Sequence, residues 1–451
     1  MPVTPLPPSE LSQLLRGGAL RSLGSLGIKL ATAGLTYLSY VVLARTMTQL
    51  EYGHFAFGLA LATVLAIAAA FGQPTAILRF WPQAVVAGRA DEAAGAVRSG
   101  STLIIIASLT ITAALVIVVL ITQSVSLDGT VNHFYGAAFL VLPMALAEFN
   151  SAALRAQGSL WTALLPRDII WRLAVPIVVL VLFSAGVVLS GPDALMLTAA
   201  LLLGALGLQY WVALRNHYEL KARWSGIAAY WTRNGAISRW LLLGALIETA
   251  ALNVDVILVG LMDNLENSAL YFNAFRTAGL MTLTSYAVVL IAAPMIARQF
   301  YAKDMGKAQL LATASVWAGF GFGLAIFLTF LFWGGPILAL FGPAYANAHL
   351  ILVLLAAGLL VEAATGPSRT LMTTTGHERT HAYGLGAIML ASLAAQLLVL
   401  PVYGLVGLAL VNMLSRVISQ AFMALWCIKH IGIDPTIFGA LRLRPRRRSI
   451  A

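Results

Sequence analysis

The sequence predicts an all-α integral membrane protein of about twelve transmembrane helices in two pseudo-symmetric six-helix lobes. Three observations predict this fold class. First, 60% of the 451 residues are hydrophobic and only 10% are charged, whereas a soluble domain carries about 25% charged residues. Second, long apolar runs recur along the chain. Third, the basic residues are confined to alternate loops.

The apolar runs predict the individual helices. A helix that crosses a bilayer needs about 20 mostly apolar residues, and it satisfies every backbone amide within itself. The predicted spans are residues 23–45, 54–73, 101–123, 134–156, 169–190, 194–214, 236–262, 269–297, 309–333, 345–371, 382–402 and 404–428.

An internal repeat predicts the two lobes. Glu148 and Arg155, seven residues apart, recur in the second half as Glu362 and Arg369 with the same spacing. Because seven residues make almost two helical turns, we interpret both couples as structural charge pairs. The predicted domains are an interfacial segment (1–22), an N-terminal lobe (23–220), a C-terminal lobe (221–430) and a basic cytoplasmic tail (431–451).

The basic residues predict the orientation. All of them except Lys29, Arg45, Arg276 and Arg416 fall in the termini or near one alternating set of loops. Basic loops remain on the cytoplasmic side, so we predict a multi-pass protein of the cytoplasmic (inner) membrane with both termini cytoplasmic. The net charge of +11 is therefore assigned to topology, and no nucleic-acid partner is expected.

Residues 43–80 carry a resemblance to a known family. The stretch LARTMTQLEYGHFAFGLALATVLAIAAAFGQPTAILRF resembles the polysaccharide biosynthesis proteins, the Wzx-type flippases of lipid-linked oligosaccharides. The matching motifs are Leu43–Arg45, Glu51–Gly53 and Arg79–Phe80. This superfamily also holds the multidrug and toxin extrusion (MATE) transporters and the lipid II flippases. The sequence departs from the pattern at Val256, where many members have a basic residue.

The resemblance implies a function and partners. It implies a flippase that moves a polyprenyl-(pyro)phosphate-linked oligosaccharide by alternating access, for O-antigen, exopolysaccharide or capsule synthesis. Membrane lipids, a polysaccharide polymerase and chain-length proteins are the implied partners. A cation-coupled multidrug exporter is the alternative within the superfamily, and a membrane-embedded glycan polymerase or acyltransferase is a third hypothesis.

Charged residues inside the predicted spans are the candidate site residues, because burying a charge in lipid is costly. Lys29, Arg276 and Arg416 are predicted to bind the phosphate headgroup, since guanidinium groups bind phosphate bidentately. Two alternatives stay open: Arg276 pairs with Asp255, and Arg416 pairs with Glu248 or Glu362.

Two carboxylates are candidates for ion coupling. Glu248 and Asp255 lie in one predicted span, and a carboxylate in a low-dielectric site exchanges protons more readily near neutral pH. No nucleotide-binding loop, catalytic triad or metal-ligand spacing occurs, and Cys427 is the only cysteine. We therefore expect a transporter without cofactor or metal, and not an enzyme.

Overall fold

The computed structural model describes residues 8–125, 132–214 and 226–443, and these residues are almost entirely helical. The first half contains α1 (Pro8–Thr46), α2 (Gln49–Ala69), α3 (Gln73–Val86), α4 (Ala90–Val125), α5 (Asn132–Ala156), α6 (Leu160–Leu164), α7 (Trp171–Ser184) and α8 (Gly191–Gln209). The second half contains α9 (Ile227–Met262), α10 (Leu265–Ala278), α11 (Thr282–Tyr301), α12 (Met305–Leu338), α13 (His349–Ala364), α14 (Ser368–Thr374) and α15 (Glu378–Trp426).

Short non-α turns extend or join several of these helices. A π-helical turn, Leu165–Ile170, joins α6 to α7, and further π-helical turns follow α8 (Tyr210–Leu214) and α15 (Cys427–Ile431). Segments of 3-10 helix lie at Gly279–Met281, Pro343–Ala348 and Ile437–Leu443.

The predicted spans fall mainly on helical structure. Among the described residues, nine helical segments are long and apolar enough to cross a membrane. A tenth is Leu265–Val289 with Ala292–Tyr301, which meet at a 43° bend. The segment Glu378–Ile431 covers two predicted spans. The predicted span 169–190 is helical up to Ser184, where α7 ends. The total of about twelve crossings stays a prediction.

Gly404 allows α15 to contain two spans. A straight helix of 49 residues would be about 74 Å long, more than twice the thickness of the hydrocarbon core. At Gly404 the backbone adopts φ 58° and ψ −153°, a region that is accessible essentially only to glycine. The kink lies at the first residue of the second of the two predicted spans, 382–402 and 404–428.

Helix α9 joins the two halves. Near its start, Tyr230 donates to Gln73 Oε1 on α3 (2.7 Å), and Gln73 donates to Ser238 Oγ (3.2 Å). Near its end, Asp255 is bonded to α15. The helix thus begins against the N-terminal half and ends inside the C-terminal half.

The predicted domain boundaries stay a prediction. Helix α1 runs without a break from Pro8 to Thr46, through the predicted boundary at residue 22. Residues 215–225 of the predicted connection between the lobes, near 215–235, lie outside the described residues, as do Arg444, Arg446, Arg447 and Arg448. Two hydrogen bonds of 2.8 Å hold the segment around Asp434 against α12. Gln309 Nε2 donates to the Asp434 carbonyl, and Gln309 Oε1 accepts from the Asp434 N–H.

Candidate functional site

Two cavities lie between the helices and meet at four side chains. The larger has a volume of about 820 Å³ and is lined mainly by α1, α9, α10, α13 and α15. The smaller, about 230 Å³, lies among α1, α2, α5, α7 and α8 in the N-terminal half. Thr36, Tyr40, Arg172 and Arg276 line both cavities. This junction brings side chains of both halves together.

Among the residues that the structure describes, Arg276 has no carboxylate partner. Its Nη2 donates to Asn253 Oδ1 at 3.0 Å, and its Cζ lies 4.9 Å from the ring centroid of Phe272. Its Nε is buried and has no hydrogen-bond acceptor in the part of the chain that is described. Arg276 thus lines both cavities, and its predicted role as a phosphate ligand stays a prediction.

The alternative pairing of Arg276 with Asp255 is wrong. Asp255 accepts hydrogen bonds from Tyr271 Oη (2.5 Å), Gln396 Nε2 (2.9 Å) and Asn412 Nδ2 (2.7 Å). Tyr271 and Arg276 are five residues apart on α10, which rotates their side chains by about 140° relative to each other. When Tyr271 contacts Asp255, Arg276 therefore points elsewhere.

Arg172 is a second cation at the junction, and sequence reasoning did not select it. Its Nη1 donates to Thr36 Oγ1 at 2.5 Å, and its guanidinium lies 5.2 Å from the ring centroid of Trp171. Its Nε is buried without an acceptor, and it forms no ion pair with any described residue. From its position in the sequence, Arg172 is interpreted as one of the arginines near the cytoplasmic ends of helices. Its place inside the predicted span 169–190 is the signal that marks it.

Arg416 lies in the larger cavity as part of an ion pair. Its Nη1 contacts Glu362 Oε2 at 3.1 Å, and its Nε donates to Asn412 Oδ1 at 3.1 Å. The alternative pairing of Arg416 with Glu362 is therefore present, and the predicted role of Arg416 as a phosphate ligand stays a prediction. Because Asn412 also donates to Asp255, one hydrogen-bonded chain connects α9, α15 and α13.

The predicted structural pairs do not form. Glu148 pairs with Arg167 at 2.8 Å, and Arg155 donates from Nε to the Ser151 carbonyl at 3.3 Å. Seven residues rise about 10.5 Å along a helix, so partners on neighbouring helices are closer.

The second couple is separated by a helix break. Arg369 pairs with Glu248 at 2.6 Å, while Glu362 pairs with Arg416. The break occurs because α13 ends at Ala364 and Gly366 turns the chain with φ 48°. Arg369 therefore lies on α14. Glu248, a predicted coupling residue, is neutralised by Arg369.

Lys29 lies outside both cavities. Its side chain is exposed on α1, and its Nζ lies 5.1 Å from the ring centroid of Tyr286 on α11. Thr36, the nearest junction residue on α1 in this direction, is about 10.5 Å further along the helix. The structure does not bring Lys29 together with Arg172 and Arg276.

The two halves contact each other at one end of the cavities. Arg45 donates from Nε to the Leu340 carbonyl (2.7 Å) and from Nη2 to the Ala339 carbonyl (2.8 Å), at the C-terminal end of α12. Tyr52 Oη donates to Asn273 Oδ1 at 2.8 Å. Gly53 packs so closely that a Cβ atom would overlap the Leu265 carbonyl. These contacts bring the two halves together at this end.

No group of three or more potential metal ligands occurs among the residues that the structure describes. The charged groups of the junction are guanidinium groups, which bind anions and no metal ion.

Comparisons with known proteins agree with the fold and the motif. A model of the polysaccharide biosynthesis protein family matches residues 22–300. No curated protein sequence matches the chain. The fold resembles an inward-facing multidrug resistance MATE family transporter of the MOP superfamily (TM-score 0.71, 14% identity, 93% of this chain and 96% of that chain).

Two further solved structures share the fold. The lipid II flippase MurJ in an inward closed conformation matches with a TM-score of 0.70 and 13% identity, over 92% of this chain and 89% of that chain. A MOP superfamily transporter from Pyrococcus furiosus matches with a TM-score of 0.60 and 14% identity, over 94% and 95%. The chain therefore belongs to the polysaccharide biosynthesis protein family and has the fold of the MOP superfamily transporters.

Proposed function

We propose that the protein is a flippase that carries a polyprenyl-(pyro)phosphate-linked oligosaccharide across the cytoplasmic membrane. The observation that carries this proposal is the junction, where Arg172 and Arg276 lie between the two cavities without a carboxylate partner among the described residues. The product serves the synthesis of a surface polysaccharide such as O-antigen, exopolysaccharide or capsule.

The junction suits a phosphate headgroup for electrostatic reasons. A guanidinium group stays charged at every physiological pH and donates two parallel hydrogen bonds to phosphate oxygens. Burying such a group without a counterion costs several kcal/mol, so two of them in one place favour an anionic ligand. The lipid tail of the substrate stays in the bilayer while only the headgroup needs the polar cavity.

The contacts between the halves support alternating access. The positive-inside rule predicts that the end closed by Arg45 and Tyr52 is the outer end. Towards the other end, Glu248 and Arg369 line the larger cavity while their side chains are 57% and 50% exposed. We therefore propose that this state receives its substrate from the cytoplasmic side, and that both termini are cytoplasmic.

Asp255 supports the second candidate function, a cation-coupled exporter of small molecules. Its buried carboxylate accepts three hydrogen bonds from neutral donors, which is an environment in which a proton or a sodium ion can bind. We assign a coupling role to Asp255 and not to Glu248, because Glu248 is paired with Arg369. Cation coupling at Asp255 is compatible with a lipid-linked glycan and with a small molecule as the transported substrate.

A deletion strain without a redundant flippase tests the proposal. We expect lipid-linked glycan to accumulate in the cytoplasmic leaflet, with surface glycan restored by the wild-type gene. Normal surface glycan in the deletion strain would reject the flippase. Broad resistance to cationic drugs on overexpression, without any change in surface glycan, would favour the exporter.

Membership of the family supports the remaining proposals. The membrane is proposed to be the cytoplasmic membrane, and a polysaccharide polymerase and chain-length proteins are proposed as partners that act on the flipped product. Such a system requires one lipid-linked glycan that all of these proteins handle in turn.

A further inference from the structure

The charged side chains that line the larger cavity are unpaired at the junction and paired or hydrogen-bonded elsewhere. Among the described residues, Arg172 and Arg276 lack carboxylate partners, whereas the other charged side chains along the wall are satisfied. Arg369 is paired with Glu248, Arg416 with Glu362, and Asp255 accepts three hydrogen bonds. The described wall of the larger cavity thus has spare positive charge only at its junction with the smaller one.

The wall away from the junction offers neutral hydrogen-bonding groups. Ser392, Ser415 and Gln420 of α15 line the cavity, together with His381 near the start of the same helix. Hydroxyl and amide groups donate and accept hydrogen bonds without net charge. Such groups match the hydroxyl groups of a sugar ring.

We propose that the sugars next to the pyrophosphate of the substrate are uncharged, and that the protein discriminates against acidic sugars at these positions. This inference rests on the proposed flippase function. Two arginines hold the pyrophosphate at the junction, and the neutral wall of the larger cavity receives the first sugars.

The ion pairs enforce the discrimination. A sugar carboxylate that enters the cavity either stays unpaired or takes Arg369 or Arg416 from its own partner. In the second case Glu248 or Glu362 loses its cation and lies beside another negative charge, and two like charges at short distance repel each other. Both outcomes weaken binding of an acidic glycan relative to a neutral one.

Two lipid-linked disaccharides that differ at one carbon test the inference. Proteoliposomes that contain the purified full-length protein receive undecaprenyl pyrophosphate bearing N-acetylglucosamine followed by either glucose or glucuronate. The second sugar carries –CH₂OH in one probe and –COO⁻ in the other. We expect wild-type protein to translocate the neutral probe about tenfold faster, the ratio that corresponds to about 1.4 kcal/mol.

Three outcomes are distinguishable. Faster translocation of the neutral probe supports the inference. Equal rates for both probes, or a faster acidic probe, would overturn it while leaving the flippase function intact. If neither probe moves faster than in empty liposomes, the flippase proposal itself fails, and the inference fails with it.

A charge-neutral variant tests the assigned residues. Glu248→Gln leaves Arg369 without its carboxylate, so we expect this variant to move the glucuronate probe several-fold faster than wild type. Glu92→Gln is the matched control, because Glu92 pairs with Arg89 and Arg233 outside both cavities. Unchanged selectivity in a folded Glu248→Gln protein, checked by gel filtration, would remove Glu248 and Arg369 from the proposal.

Discussion

At the residue scale, the difference between a paired and an unpaired arginine determines its role. Arg276 and Arg416 both occur inside predicted spans, and the sequence treats them alike. Of these two arginines, only Arg416 has a carboxylate partner in the described part of the chain, and that partner is Glu362. A cation that is already neutralised contributes to packing, whereas one that is not attracts an anionic ligand.

The junction arginines carry the first prediction. Arg172→Ala and Arg276→Ala should each lower the translocation rate by roughly 10- to 100-fold, the effect of losing one hydrogen bond to a charged group. Membrane insertion should be unchanged. The assay is glycan export in the complemented deletion strain, with protein levels measured by immunoblot.

Arg155→Ala is the matched control for the junction variants. Arg155 is exposed, lines neither cavity and forms no ion pair in the described part of the chain. Wild-type export by both junction variants would remove the phosphate role of these two arginines.

The Arg416–Glu362 pair carries the second prediction. Arg416→Ala should lower the thermal stability, and Arg416→Ala combined with Glu362→Ala should lower it less than the sum of the two single changes. Because the side chains are 21% and 37% exposed, we expect a coupling free energy of only about 0.5–1 kcal/mol. Unfolding of the detergent-solubilised protein measures it. A coupling of zero would show that the pair makes no contribution.

At the element scale, the helices follow from the sequence but their partners do not. The predicted spans fall mainly on helical structure because the length and apolarity of a run are local properties that the bilayer selects. The partner of a charged side chain depends on the rotation of its helix and on helix breaks. The spacing of two residues in the sequence predicts neither helix rotation nor helix breaks. Glu362 and Arg369 are seven residues apart, yet a helix break separates them.

The position of an arginine within an apolar run also decides whether the sequence predicts it as a site residue. Arg276 was recognisable because an arginine deep in an apolar run is unusual. Arg172 was not, because it lies near the start of a run, where arginines usually mark the membrane surface. The π-helical turn Leu165–Ile170 precedes it, and local apolarity does not predict such a turn.

Gly404 carries the third prediction. Gly404→Ala should destabilise the protein by about 1–3 kcal/mol, because φ 58° with ψ −153° is strained for alanine. Gly386→Ala, in the same helix, is the control. A Cβ there meets only Ile247 Cδ1 at 3.7 Å, an ordinary van der Waals contact. The measurement is the midpoint of thermal unfolding of each variant. Equal midpoints would contradict the prediction that the backbone at position 404 requires glycine.

At the scale of the whole molecule, the close approach of the two halves at Gly53 carries the fourth prediction. Gly53→Ala should prevent complete closure of the end that also holds Arg45, because a Cβ atom overlaps the Leu265 carbonyl. A cysteine introduced as Ala33→Cys, in a Cys427→Ser background, lines the larger cavity and reports access. We expect a membrane-impermeant maleimide added outside to label it several-fold faster in the Gly53→Ala protein.

Gly34→Ala is the control for this experiment. Gly34 lies on α1, and a Cβ atom added there would have no described atom within 4 Å, so the halves can still close. Equal labelling rates in both variants would show that Gly53 does not limit closure.

The junction shared by the two cavities has a consequence for stoichiometry. Arg172 and Arg276 border both spaces, so under the proposed function a headgroup from either side would bind to the same two guanidinium groups. One chain can then hold a single cargo molecule at a time. Turnover should rise hyperbolically with cargo concentration, and inorganic pyrophosphate should compete with the cargo for the same place.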